Sequence, residues 1–337
     1  MGEKPKDFKG TFRKLARQLT AYRLHLVAVM ILAIGSSVFA VVGPKVLGNA
    51  TTAIYEGLVR KIGGNGGIDF ASVGRTLLTM LLLYLVSAAF SFVQGFIMSG
   101  VTQRTAYRLR RDLSDKLHRM PMQFFDKQTH GEVLSRITND VDTLSMSMNQ
   151  VMGQVITSVA TVVGVLYMMF SISGWMTLIA LITLPLSALG AAGVIKRSQK
   201  HFRRQQESLG HVNGQVEEVF GGHVIVKAFN AEAGALKAFD KDNDALYDSA
   251  WKSQFLSGLM MPIAQTIGNL GYVLVAIFGG VLASRGRIAV GDIQAFIQYV
   301  RQFNQPVTQL AQMLNMVQSM LAAAERVFIL LEEPEED

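Results

Sequence analysis

From Ile288 to Val327 the chain keeps an apolar background on which polar residues return every three or four positions: Gln294, Gln298, Arg301, Gln305, Thr308, Gln312, Asn315 and Ser319. Steps of four and three place them on one face of a single helix. Phe296, Ile297, Val300, Phe303, Val307, Leu310, Leu314 and Val317 fill the rest. Gln294 and Ser319 are 25 steps apart, roughly 38 Å of helix, which exceeds a bilayer's ~30 Å hydrocarbon core. A helix of membrane length with one continuous wet face is expected to line something aqueous. The alternative is that the amides bond to neighbouring helices and hold them together.

The same patterning predicts five earlier spans. The first runs roughly from Leu24 to Leu47, with Pro44 near its outer end, and the second from Thr76 to Gln103. A Gly-rich stretch, Gly63-Gly64-Asn65-Gly66-Gly67, marks an exposed loop between them. No charge occurs from Thr143 to Ile195, a run of 53 residues that is too long for one span. Ser171-Ile172-Ser173-Gly174 supplies turn chemistry in its middle, so it reads as two spans in a tight hairpin. A fifth span covers Phe255 to Ser284. Ahead of them all, Phe8, Phe12, Leu15 and Leu19 alternate with Lys9, Arg13, Lys14 and Arg17, the pattern of a basic amphipathic helix lying in a membrane interface. The apolar run after it is too long for a signal peptide.

Composition agrees: half of the 337 residues are hydrophobic and only 17% are charged. The net charge of +7 does not indicate nucleic acid, because basic residues lie between apolar spans rather than on one soluble face. Twenty-four Lys and Arg fall on the side of the amino terminus and six on the other, so positive-inside reasoning puts both termini in the cytoplasm. The absence of cysteine excludes disulfides and thiolate metal sites, and the six His include no close pair.

The two long cytoplasmic connections, Arg104 to Asp140 and Lys196 to Lys252, each read as helix, break, helix. The breaks fall at Met120–Asp126 and at Gly221-Gly222-His223. The spans are therefore expected to extend as helices into the cytoplasm and turn at a short element, with Phe124 and Phe125 as apolar anchors for a soluble partner. Thr129-His130-Gly131-Glu132 has the spacing of a capping box that restarts a helix.

These residues carry a resemblance. Phe124-Phe125-Asp126 is followed by Gly131-Glu132 and by Ser135-Arg136-x-x-Asn139-Asp140-Val141-Asp142. Further on come Gly222-x-x-x-Val226-Lys227-Ala228-Phe229, Gly291-Asp292-Ile293 and Ala322-x-Ala324-Glu325-Arg326-Val327-Phe328. The chain resembles the membrane domain of exporter-type (type IV) ABC transporters, of the multidrug and lipid half-transporter kind. The resemblance implies an all-α, six-span fold with long cytoplasmic extensions, a dimer of identical or homologous chains, and alternation between inward- and outward-open states. It divides the chain into an interfacial helix (1–22), the six-helix domain (23–327) and the acidic start of a linker (328–337). Pro121–Lys127 and His223–Phe229 resemble the coupling helices that grip nucleotide-binding domains, through Pro121, Phe124, Phe125, Asp126, His223, Lys227 and Phe229. Those domains would hold ATP and Mg. This chain has no G-x-x-x-x-G-K-[ST] loop, so it is expected to carry no ATPase site, no catalytic residue and no cofactor of its own. Family chains continue into an ATPase domain where this one stops, which points to a truncation or to a separate ATPase polypeptide.

The expected ligands are hydrophobic or amphipathic small molecules, drugs or lipids, taken from an inner-membrane setting. Beside the α-helical stripe, the candidate cavity residues are Gln94, Gln150, Gln154, Gln265 and Asn269, with Ser87, Ser91, Thr157 and Thr161 at helical spacing on the same spans. Tyr84, Met98, Met168, Phe303 and Met313 would add adaptable apolar surface. Each polar residue taken singly also fits ordinary interhelical packing. Arg301 is the charge in mid-span, with no carboxylate at its depth, so it is expected to face water and meet anionic or carbonyl groups. Its alternative partners are the carbonyls of a broken neighbouring helix. A proton-coupled carrier would need an intramembrane carboxylate, and none of the six spans has one. A ligand-binding membrane scaffold that transports nothing is the reading from another class.

Overall fold

The computed structural model describes residues 5–64 and 66–336. Asn65 of the Gly-rich loop, Lys4 of the basic count and Asp337 lie outside the described residues, as do the side chains of Lys127 and His130. Among the described residues the elements are helices and turns, and six helices are long and apolar enough to cross a membrane.

A short helix, α1 (Phe8–Leu19), starts where the Asp7 carboxylate accepts the amide of Gly10 at 2.9 Å. A tight turn, Thr20–Tyr22, leads into α2 (Arg23–Ile62). This helix contains the span expected from Leu24 to Leu47 and runs on beyond it, through Pro44 to Ile62. Packing explains the extension. Lys45 forms an ion pair with Asp292 at the start of the last helix, and Gly48 lies so close to Gly291 that a β-carbon on Gly291 would strike the Gly48 carbonyl. The amide of Gly291 also donates to Thr52 Oγ1 at 3.0 Å. Glycine at both positions lets the two backbones approach.

The next helix, α3 (Phe70–Leu117), is capped by Asp69, whose carboxylate accepts from the amides of Ala71 and Ser72. Beyond it, α4 (Met122–Lys127) and α5 (His130–Ser135) form the first tip. Pro121, extended at φ −67° and ψ 149°, separates α4 from α3. Thr129 Oγ1 accepts the Glu132 amide at 3.3 Å, while the Glu132 carboxylate turns to Arg136. A π-helical turn, Arg136–Asp140, joins α5 to α6 (Val141–Ile172). The helix break expected at Ser171–Gly174 falls at Ser173, which is in extended conformation between Ile172, the last residue of α6, and Gly174.

The chain divides into two compact units. The first is Met1–Gly174 with Gly279–Asp337, built from α1 to α6 and from the last helix, α11 (Val290–Glu332). Its core, with Leu109, Leu113, Val141, Leu144, Met148, Leu321, Ala324 and Val327, gathers the carboxyl-terminal parts of α3 and α11 and the amino-terminal part of α6 with Leu15 and Leu19 of α1. Polar clasps tie the helices together. Ser36 and Ser87 exchange hydroxyl-to-carbonyl bonds of 3.0 and 2.9 Å between α2 and α3, and the buried Tyr299 of α11 donates to the Val41 carbonyl at 2.9 Å.

The second unit, Trp175–Phe278, contains most of α7 (Gly174–Gly221), α8 (His223–Ala228), α9 (Glu232–Gly258) and most of α10 (Met260–Ser284). Gly190 brings α7 against Ile263 and Ile267 of α10, and Gly271 brings α10 against Thr183. At the far end Gln215 Nε2 donates to the Ala235 carbonyl at 3.1 Å, holding α7 to α9 around α8.

Candidate translocation face and coupling elements

The face of α11 that packs is made by Ala295, Phe296, Tyr299, Val300, Phe303, Met313, Met320, Leu321 and Ala324, all buried. The polar stripe occupies the rest, and it changes along its length. Arg301, Gln305, Thr308, Gln312, Asn315 and Ser319 are exposed, while Gln294 and Gln298 are half-buried. Gln294 accepts from Thr51 Oγ1 of α2, so the amino-terminal end of the stripe is committed to packing. Arg301 makes no ion pair among the described residues. On α6, Gln150 is exposed and Gln154 half-buried. Ser158, one turn further on, donates to Gln309 of α11 at 3.4 Å.

Two polar positions expected at a cavity are interhelical ties instead. Gln94 is 6% exposed and donates to the Gly153 carbonyl of α6 at 3.3 Å, and Ser87 forms the clasp to Ser36. Helical spacing assigns them the right face of α3, but a neighbouring helix covers it. Gln265 and Asn269 are exposed on α10 in the second unit.

The coupling candidates also separate. In the first tip Phe124 is 8% exposed and lies edge-on to the half-buried Phe125, with ring centroids 5.5 Å apart. Phe124 is thus buried in the core cluster that also holds Leu109 and Leu113 of α3 and Val141 and Leu144 of α6. Pro121 is half-buried, and Asp126 and Met122 face outward, the latter 77% exposed. The second tip is the opposite. Val224 and Phe229 are each 80% exposed and Ile225 64%, with His223 exposed as well. Lys227 bonds to Glu232 at 2.7 Å, closing the turn around Asn230, whose φ is +52°.

A junction at the exit of α11 was not legible as such in the sequence. Arg326 grips Asp140 through Nε at 2.9 Å and Nη2 at 2.6 Å, a two-pronged pair in which the Asp140 side chain is 10% exposed. The neighbouring Glu325 accepts the amides of Lys6 and Asp7 at 2.8 and 2.7 Å. Lys14 meets Glu332, and Lys116 and Arg119 meet Glu335. The last turns of α11 are therefore bonded to α1, to the residues just before it and to the π-helical turn beyond the first tip, and Glu335, just past α11, is bonded to the end of α3. Opposite charges in two of the motifs quoted above, Asp140 and Arg326, were the available signal.

Six apolar helices with long polar extensions and two helical tips define a multi-pass, all-α membrane protein with the architecture of a transport domain. Residues 26–307 match the ABC transporter transmembrane region, and the chain belongs to that family, as an exporter-type transmembrane domain. It is 41% identical to the fatty acid ABC transporter ATP-binding/permease protein of Mycobacterium bovis, over 98% of this chain and 57% of that one. It is 35% identical to the uncharacterized ABC transporter ATP-binding protein YfiC of Bacillus subtilis, over 99% of this chain and 54% of the relative. An ATP-dependent lipid A-core flippase of Syntrophus aciditrophicus is 27% identical over 76% of this chain. The chain spans about half the length of these curated relatives.

Proposed function

We propose that this chain is the substrate-translocating part of an ATP-driven exporter of amphipathic lipids, fatty acids foremost. It works as a dimer with both termini cytoplasmic and draws power from nucleotide-binding domains seated on the two tips. The observation that carries the reading is the division of α11. One side is a buried apolar seam, and the other is a polar stripe, exposed from Arg301 onward, in which Arg301 makes no ion pair among the described residues. Arginine at that depth costs from ~3 to over ~10 kcal/mol in lipid, so its open face belongs against water or a ligand. A fatty acid supplies what such a face can hold: a carboxylate for the guanidinium and a chain for Met and aromatic neighbours. The 41% identity to a fatty acid transporter supports the same substrate class.

The test is transport into proteoliposomes containing the membrane chain together with its ATP-binding domains. ATP-dependent movement of labelled palmitate is expected. Arg301→Gln is expected to preserve insertion while lowering transport of palmitate about tenfold more than that of the matching fatty alcohol. Equal loss for acid and alcohol would remove Arg301 from ligand recognition, and no ATP-dependent movement of either would overturn the reading.

A further inference from the structure

We infer that the groove between α1, α2, α6 and α11 is a binding site for one fatty-acid chain, with its carboxylate on Arg23. The groove has a volume of about 410 Å³, within the roughly 300–1,000 Å³ of small-molecule sites. Its walls are apolar apart from Thr20 and Arg23, and the Thr20 hydroxyl is already spent on the Arg17 carbonyl at 2.6 Å. That leaves Arg23 as the polar group available to a ligand. It is exposed and has no ion pair among the described residues, whereas nearby Lys14 is held by Glu332.

Charge complementarity and shape select the occupant. A single unpaired guanidinium at the margin of an apolar slot suits one monoanionic head on one chain. A two-chain phospholipid would leave its second chain outside. Four methionines, Met30, Met148, Met152 and Met320, line the slot with unbranched, adaptable side chains. At its mouth Val27 of α2 is 48% exposed and Phe12 55%, the latter on α1, the helix whose pattern places it at the membrane interface. Its inner wall includes Val317 and the buried Met320 of α11, the helix that carries the polar stripe on its other side. The site deepens the exporter reading as a place where substrate is held before translocation, but its test reads binding alone. A chain that binds without being exported would count only against the exporter reading.

The experiment uses the whole chain in nanodiscs of neutral phosphatidylcholine, with palmitate carrying a terminal diazirine as probe and the matching alcohol as control. Illumination is expected to label peptides containing Met148–Met152 and Val317–Met320. Arg23→Gln should weaken the palmitate probe about tenfold and leave the alcohol unchanged. Ala16→Trp, at an exposed position on the groove wall, should block both probes without lowering thermal stability. The proposal is overturned by labelling that avoids these peptides, by labelling insensitive to Ala16→Trp, or by Arg23→Gln acting equally on acid and alcohol. Displacement of the probe by phosphatidylglycerol as readily as by palmitate would also overturn it, since a bilayer lipid would then be the occupant.

Discussion

Asp140 and Arg326 show how one pair of side chains can join distant parts of the chain. The carboxylate is nearly buried and takes both prongs of a guanidinium that is 36% exposed. Breaking a buried pair by removing one partner costs ~3–5 kcal/mol, and partial exposure of the arginine reduces that. Asp140→Asn should therefore destabilise the first unit by about 2–3 kcal/mol, read as a lowered thermal midpoint in detergent. Arg326→Lys should lose part of this, since an ammonium cannot reproduce the two-pronged geometry. An unchanged midpoint in both variants would mean that the pair is not structural. At this scale the sequence was least informative. The period of α3 placed Gln94 and Ser87 on one stripe, yet what a polar residue does depends on the helix opposite, and no period within α3 encodes that.

Among elements, the two tips look alike in sequence, each a short run with phenylalanine and a preceding break. The structure gives them different work. Phe124 is part of the core that the ends of α3 and α6 build, whereas Phe229 projects with Val224 and Ile225 from α8. Phe124→Ala should cost about 3 kcal/mol, as loss of a buried aromatic does, and so cannot report on docking. Phe229→Ala should leave the thermal midpoint unchanged while uncoupling ATP hydrolysis from transport. A lowered midpoint for Phe229→Ala, or unimpaired transport, would refute the assignment of α8 as a docking element. Element boundaries were legible where local chemistry decides them: the breaks at Gly222 and Ser173 and the cap at Thr129. The extension of α2 past Pro44 was not, because it depends on Gly48 meeting Gly291 more than two hundred residues away.

For the whole molecule, apolar length and residue type were enough to give six spans and an all-α membrane fold, since a bilayer leaves a chain few other solutions. Orientation rests on charge counting and can be tested directly, because the chain contains no cysteine. In intact cells a membrane-impermeant maleimide should label Arg285→Cys and spare Lys237→Cys; the reverse would invert the topology. The candidate site was half legible. The stripe on α11 could be read from its period, whereas the groove beneath α1 takes walls from four helices and has no period at all.

The seat of residues 6 and 7 on Glu325 makes the molecule its own optical gauge. A donor dye just before α1 and an acceptor just beyond α11 would sit at one short separation for as long as those two amide bonds hold. If the exit of α11 is drawn away during each cycle of the ATP-binding domains, energy transfer should fall and recover in step with turnover. Transfer that stays constant through turnover would show that the seat remains closed while the rest of the transporter works.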